Sequence, residues 1–374
     1  MSDKKTIKTS IGGQALTEGI MMKGPKKTAM AVRRPDGTIY LETEDNKSAF
    51  KKIKKIPIVR GVFAFAESMI SGYKYLMKSV EISMPDEFAS EKPAASEKGS
   101  PEKEECSENI TETEAHENTD VTTDAPSADE AAIKSDKKAS QGKEKKEEKP
   151  LSGAEMTFAM IIGVVLGLAL AIFLFKFLPE LVFGGLAVLF PGIKGEGYGF
   201  SLLRAAVTGV MKIIILVAYM AAVSCLKEIR RTFMYHGAEH KTIFCYENGL
   251  ELTTENVRLQ KRFHPRCGTS FLVLSVLVSI FFGMFIPSTV VAGNEFLNVL
   301  ARTGLGLLLL PVIMGVGYEL IRIAGRHDNA LTRIISAPGT WLQHITTKEP
   351  DDSMIECAIL AVKEVIPDDG SDIL

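Results

Sequence analysis

Cysteine is scarce. The five residues, at 106, 225, 245, 267 and 357, are too scattered for a disulfide framework and are expected to stay reduced in a cytoplasmic setting. A more pointed absence lies between Ala89 and Lys149. That stretch has no aromatic residue and only Ile110, Val121 and Ile133 as branched apolar side chains, against 17 acids and 10 lysines. So little apolar surface cannot offset chain entropy, which excludes a packed core there and predicts a disordered charged linker. Its net charge of −7, removed from the −2 of the whole chain, leaves +5 on the remainder. An apolar leader is missing too: the first residues are polar and Lys-rich, so no cleavable signal peptide is expected.

Long apolar runs are present in quantity. "MTFAMIIGVVLGLALAIFLFKFL" (156–178) is long enough to cross a bilayer, and Phe200–Leu226, Phe271–Ala292 and about Gly304–Ile323 are further candidates. "LVFGGLAVLF" (181–190) is too short to span and reads as an interfacial or re-entrant piece. Four spans result, with five as the alternative. Pro287 and Pro311 inside spans predict kinks.

Positive charge sets the orientation. The 227–267 loop carries Lys227, Arg230, Arg231, Lys241, Arg258, Lys261, Arg262 and Arg266, whereas the connections on the other side carry Lys194 and Arg302. The first 60 residues hold 14 basic and 6 acidic side chains. The positive-inside bias therefore places both termini and this loop in the cytoplasm.

The expected fold class is mainly α: a polytopic membrane protein with about four transmembrane helices and a small N-terminal α+β cytoplasmic part. Residues 1–88 form that part, 89–149 the linker, 150–226 spans one and two, 227–270 the cytoplasmic loop, 271–325 spans three and four, and 326–374 a cytoplasmic tail. Within 1–88, "TAMAVRRPDGTIYLET" (28–43) signals a hairpin turning at Pro35-Asp36-Gly37. "IPIVRGVFAFAESMISGYKYLMKSV" (56–80), preceded by Lys51, Lys52, Lys54 and Lys55, reads as an in-plane helix at the lipid interface that would meet anionic headgroups. Packing on the protein's own core is the competing reading. Nothing points to nucleic acid.

The chemistry concentrates in "FMYHGAEHKTIFCYENG" (233–249). His236, Glu239 and His240 form H-x-x-E-H, which a helix gathers on one face. Two imidazoles there can bind one zinc while the carboxylate acts as general base. A second cluster, His264 and Cys267 in "FHPRCGTSF", adds an imidazole and a thiolate before span three. Each has a plainer reading, as a solvated helix face or as a structural zinc with four protein ligands. If span two ran straight on, His236 would lie about 15 Å below the membrane edge. A shared site therefore requires a bend, for example after Arg231, or a return through a helix near Thr254.

Glycine-rich "GGQALTEGIMMKG" allows a close backbone approach, with Glu18 as a further ligand or base, or else forms a tight turn packed under the membrane. His344, Glu349, Asp351 and Asp352 read as surface residues. Lys212 and Glu319 lie within spans and need partners, and Glu319 is near enough to the cytoplasmic end to reach the site.

"GGQALTEGIMMKGP", "YHGAEHKTIFCYE", "ENV…RFHPRCGTSF" and "WLQHITTKEPDDSMIECAI" together resemble the YqhQ family of bacterial membrane proteins, with 89–149 looking like an insertion. That family is described as a domain of unknown function and predicted to be metal-dependent enzymes. The resemblance implies a bacterial inner-membrane protein with a cytoplasmic polar site. It lends weight to His236, Glu239, His240, His264, Arg266 and Cys267, and to the Gly12–Gly24 stretch with Glu18.

Two function classes follow. One is a divalent-metal hydrolase, with zinc expected on His236, His240, His264 and Cys267 and with Glu239 as base. The other is a membrane scaffold or assembly factor holding a structural metal or none. A transporter is a third, weaker option, hinted at only by Lys212 and Glu319.

Overall fold

The structure is a computed structural model describing residues 7–46, 56–85 and 153–373, apart from 194, 196, 288 and 328. The charged stretch 89–149 and the lysines at 51–55 lie outside the described residues.

Strands β1 (Gly12–Leu16), β2 (Gly19–Lys23), β3 (Lys27–Arg33) and β4 (Ile39–Asp45) form an antiparallel meander in chain order. The β3–β4 turn falls at Pro35-Asp36-Gly37, where Gly37 takes φ +85° and Thr38 N donates to Asp36 Oδ1 at 2.8 Å. The first hairpin differs from the tight turn expected of residues 12–24. Gly12 pairs with Lys23 and Leu16 with Gly19, leaving Thr17-Glu18 as the loop. Glu18 sits at φ 51°, a region unfavourable to a residue with a Cβ.

Period-two alternation explains why β2 and β3 read as unbroken apolar runs. Ile20, Met22, Ala29 and Ala31 face one side, packing with Tyr235, Ala238, Met354 and Ile355. Met21, Met30 and Val32 face the other, packing with Leu16 and Tyr75. Both faces are buried.

Eleven helices follow among the described residues: α1 (Val59–Ser83), α2 (Gly153–Ile172), α3 (Leu178–Leu189), α4 (Tyr198–Val223), α5 (Lys227–Glu247), α6 (Thr254–Arg258), α7 (Gly268–Gly283), α8 (Glu295–Leu308), α9 (Leu310–Arg326), α10 (Ala330–Thr346) and α11 (Asp352–Val365). α5 and α11 cover the first sheet face and α1 covers the second.

α1 also runs against α9. A Cβ on Gly61 would stand 2.8 Å from Tyr318 Cβ and 3.0 Å from Gly315 Cα, so the two backbones nearly touch. The Arg60 guanidinium grips Glu319, with Nε to Oε1 at 2.6 Å. Glu319 is therefore occupied in holding α1 to α9 and does not reach the 236–267 cluster. Met69, Ile70 and Tyr73 leave one side of α1 open.

Residues Ile162–Leu189 form one 28-residue helical unit, long and apolar enough to cross a membrane, as is Tyr198–Val223. The stretch 181–190, expected as a separate short piece, is instead the end of that first unit. A single π turn, Phe173–Phe177, joins α2 to α3, and Pro179 follows just after it. Val164, Leu166 and Leu189 are more than half exposed, as side chains facing lipid would be.

α8 and α9 meet at a 44° bend and make a third candidate if they cross together. Pro311 stands at that bend, in the first turn of α9, as a kink there predicts. Pro287 lies beyond the end of α7, in a connection rather than within a span. α7 is apolar but has only 16 residues. With two candidate spans, or three, among the described residues, the chain is a membrane protein.

Two features position the site. Leu226 is extended at ψ 133°, so the chain turns between α4 and α5, earlier than the bend expected after Arg231. The chain ends clasp each other: Thr9 bridges Ile373, Thr9 Oγ1 donates to Asp372 Oδ2 at 2.7 Å, and Ser10 N donates to Asp372 O at 2.6 Å.

Candidate metal centre

α5 presents His236, Glu239 and His240 inward. The helix stops at Asn248, with Gly249 at φ +63° supplying the left-handed turn that ends it. α6, capped by Thr253, carries the chain back, and Cys267 caps α7 by accepting from Thr269 N at 3.4 Å. The H-x-x-E-H helix and the start of α7 are thereby brought together.

His236 Nε2 lies 3.0 Å from Cys267 Sγ, and His236, His240 and Cys267 each offer a ligand atom within 4.8 Å of the others. The tautomers are set by backbone carbonyls, which can only accept. His236 Nδ1 donates to Thr346 O at 2.9 Å, and His240 Nδ1 donates to Arg262 O at 2.5 Å. Both Nε2 lone pairs are left pointing at the cluster, as in metal-ligating histidines whose other nitrogen is held by a carbonyl. His240 Nε2 is buried without a hydrogen-bond partner. A tetrahedral zinc sets its ligand atoms about 3.5 Å apart. Closure thus asks the widest pair to move by about 1 Å, and the cluster could hold a metal ion.

Glu239 is buried beside this group. Its Oε1 accepts from Gly13 N at 3.0 Å, while Oε2 has no hydrogen-bond partner. Burial raises its pKa, with His236 and the Gly13 amide pulling in the opposite direction. A Cβ on Gly13 would lie 3.1 Å from the Glu239 carboxyl carbon and 2.6 Å from Met21 O. Glycine here permits the backbone approach suspected from the sequence, and the approach is to Glu239. A cavity of about 350 Å³ opens over Glu239, His240 and Cys267 and extends to Arg322 and Arg326 of α9.

The other candidates stand apart from the three-atom cluster. His264 is buried next to His240, with ring centroids 5.6 Å apart, but its nitrogens turn elsewhere. Arg266 N donates to its Nδ1 at 3.4 Å, and Nε2 faces Glu247 Oε2 at 3.5 Å. Burial pushes the His264 pKa down to about 4, so at neutral pH the ring is uncharged and the Glu247 contact is a hydrogen bond. Burial pushes Glu247 up, but His264, Arg266 and the Thr9 amide together hold it below its ordinary value. Arg266 pairs with Glu247 and lays its chain against Gly325. Glu18 is taken by Arg231, with Nε to Oε1 at 2.5 Å.

Of the supposed surface residues, Asp351 caps α11, Asp352 pairs with Arg258 and Glu349 pairs with buried Lys241. His344 stacks on Phe263 at 4.3 Å.

Sequence reasoning passed over four contributors. Gln343, fully buried, accepts from His264 N at 2.7 Å and donates to His264 O at 2.8 Å, fixing the loop that bears Cys267. Gly237 lets α5 press on the chain after α10, since a Cβ would lie 2.0 Å from Lys348 O. Thr346 and Arg262 act through backbone carbonyls, which carry no side-chain signal.

These features define a membrane protein with a buried His/His/Cys cluster under a cavity beside its apolar helices. A family model described as "Protein of unknown function (DUF1385)" matches residues 56–368. "Uncharacterized protein YqhQ" of Bacillus subtilis (strain 168) is 30% identical over 366 residues, covering 97% of this chain and 94% of that protein. The chain belongs to this DUF1385 family, which includes YqhQ. No solved structure matches it.

Proposed function

We propose that the cluster is the centre of a divalent-metal hydrolase at the cytoplasmic face of the bacterial cell membrane. His236 Nε2, His240 Nε2 and Cys267 Sγ hold the ion, with zinc the best fit to two imidazoles and a thiolate. The observation that carries the reading is the pair of carbonyl-locked Nδ1–H groups, which leave both Nε2 lone pairs free in a cluster with Cys267.

A bound metal supplies Lewis acidity to a scissile carbonyl or phosphoryl oxygen. The free oxygen of Glu239 takes the proton of the attacking water, while the Gly13 amide fixes the other oxygen. His264, Arg266 and Glu18 hold the surrounding chain. Arg322 and Arg326 at the cavity rim favour a peptide or lipid-linked substrate with an anionic portion.

Four crossings accompany this reading: the α2–α3 unit, α4, α7 and the bent α8–α9 pair, with both termini cytoplasmic. The basic 227–267 loop supports that orientation. A structural zinc in a scaffold is the second reading, but such sites are closed by four protein ligands and three converge here.

The deciding measurement is metal content by mass spectrometry of the purified chain beside a His236→Ala/His240→Ala variant. Zinc bound by the first and lost from the second supports the centre. No metal in either, after reconstitution with zinc, manganese and iron, ends the hydrolase reading.

A further inference from the structure

A second polar group lies among the apolar helices, away from the His/His/Cys cluster. Lys176 and Glu180 come from the π turn and α3, Arg204 and Lys212 from α4, and Arg302 from α8. Lys176, Glu180, Lys212 and Arg302 line a cavity of about 50 Å³, with Arg204 behind Glu180. Leu189 and Tyr198 mark the helix ends remote from the sheet. At 1.5 Å per residue from those ends, Glu180 and Arg204 lie about 9–14 Å deep, and Lys176 and Lys212 about 20 Å deep. In a hydrocarbon core about 30 Å thick, both lysines fall inside it, about 10 Å from the opposite face.

Charge is unbalanced there. Glu180 supplies one carboxylate, and the arginines already use it: Arg204 Nε and Nη2 reach Oε2 at 2.8 and 2.7 Å, and Arg302 Nη2 reaches Oε1 at 3.5 Å. Among the described residues, no carboxylate lies within ion-pairing distance of Lys176 or Lys212. α8 makes room for one of them, since a Cβ on Gly306 would lie 2.3 Å from Lys176 Nζ. Ammonium groups at this depth are costly without a counter-charge, and such residues mark binding sites or ion paths.

We propose that this cavity binds a small inorganic anion of about chloride's size, held by Lys176 and Lys212. The volume decides the class: it admits only a few water-sized bodies, too little for a lipid headgroup or a nucleotide. The two ammonium groups supply the donors, while the Glu180 carboxylate is engaged by Arg204 and Arg302.

The test is thermal unfolding of the full-length chain in dodecylmaltoside, in sodium chloride and in sodium gluconate at equal ionic strength. Gluconate is too large for the cavity. Chloride should raise Tm by about 2 °C or more, saturably. The Lys176→Met/Lys212→Met variant, relieved of two buried charges, should unfold at one temperature in both salts. Should it fail to fold, Lys212→Gln alone decides, and the proposal requires a weaker chloride response. Equal Tm values for the unsubstituted chain, or a chloride response undiminished in the lysine variants, would overturn the proposal. So would stabilisation by phosphatidylglycerol in gluconate that the variants lose, which would assign the site to a headgroup.

Discussion

His236 Nε2 and Cys267 Sγ stand 3.0 Å apart although 31 positions of chain separate them. One belongs to a helix that covers the sheet and the other to the cap of the next apolar helix, so the contact joins the sheet-bearing body to the apolar helices. Replacing Cys267 with Ser keeps the size and the cap but removes the soft ligand. Bound zinc, measured by mass spectrometry, should fall about tenfold or more while Tm measured without metal changes little. Undiminished zinc would remove Cys267 from the ligand set.

Glu239→Gln separates binding from chemistry. The amide still accepts from Gly13 N, so metal content should stay near that of the parent. Hydrolytic activity, assayed on peptide and lipid-linked substrates cleaved by the parent, should drop by about 100-fold or more, as for loss of a general base. Undiminished activity would leave the cluster with a structural role.

Gly237→Ala tests the seat of α5. The new Cβ would strike Lys348 O, a backbone atom that cannot swing aside. The helix must retreat, drawing His236 from Thr346 O. A loss of about 1–3 kcal/mol in stability is expected, with zinc affinity falling alongside. Unchanged values in both would mean that the contact with Lys348 gives way freely.

Gln343→Leu leaves the buried N–H and C=O of His264 unpaired at similar side-chain volume. Destabilisation of about 2 kcal/mol or more should appear in thermal or denaturant unfolding. Metal should protect the variant more than the parent, because the ion would then help to hold the loop.

The sequence made some of this legible and hid the rest for physical reasons. The β3–β4 hairpin announced itself through Pro-Asp-Gly, whereas β1–β2 turns on Thr17-Glu18, which carries no Asn-Gly signal. The H-x-x-E-H face follows from helical spacing alone. That Cys267 would meet it, with His264 turned to Glu247, depends on a break at Leu226 and on Gln343, neither of which has a local signature. The first apolar unit runs on to Leu189 because the helix continues through a π turn and past Pro179, which no local pattern announces.

The clasp between Thr9 and the Asp372–Ile373 pair has a consequence for synthesis. The strands at residues 12–45 leave the ribosome well before α11, yet α11 covers one of their faces. The intervening apolar helices must be handed to the membrane while that face waits uncovered. Chaperone dependence should therefore be greatest for chains halted before residue 352.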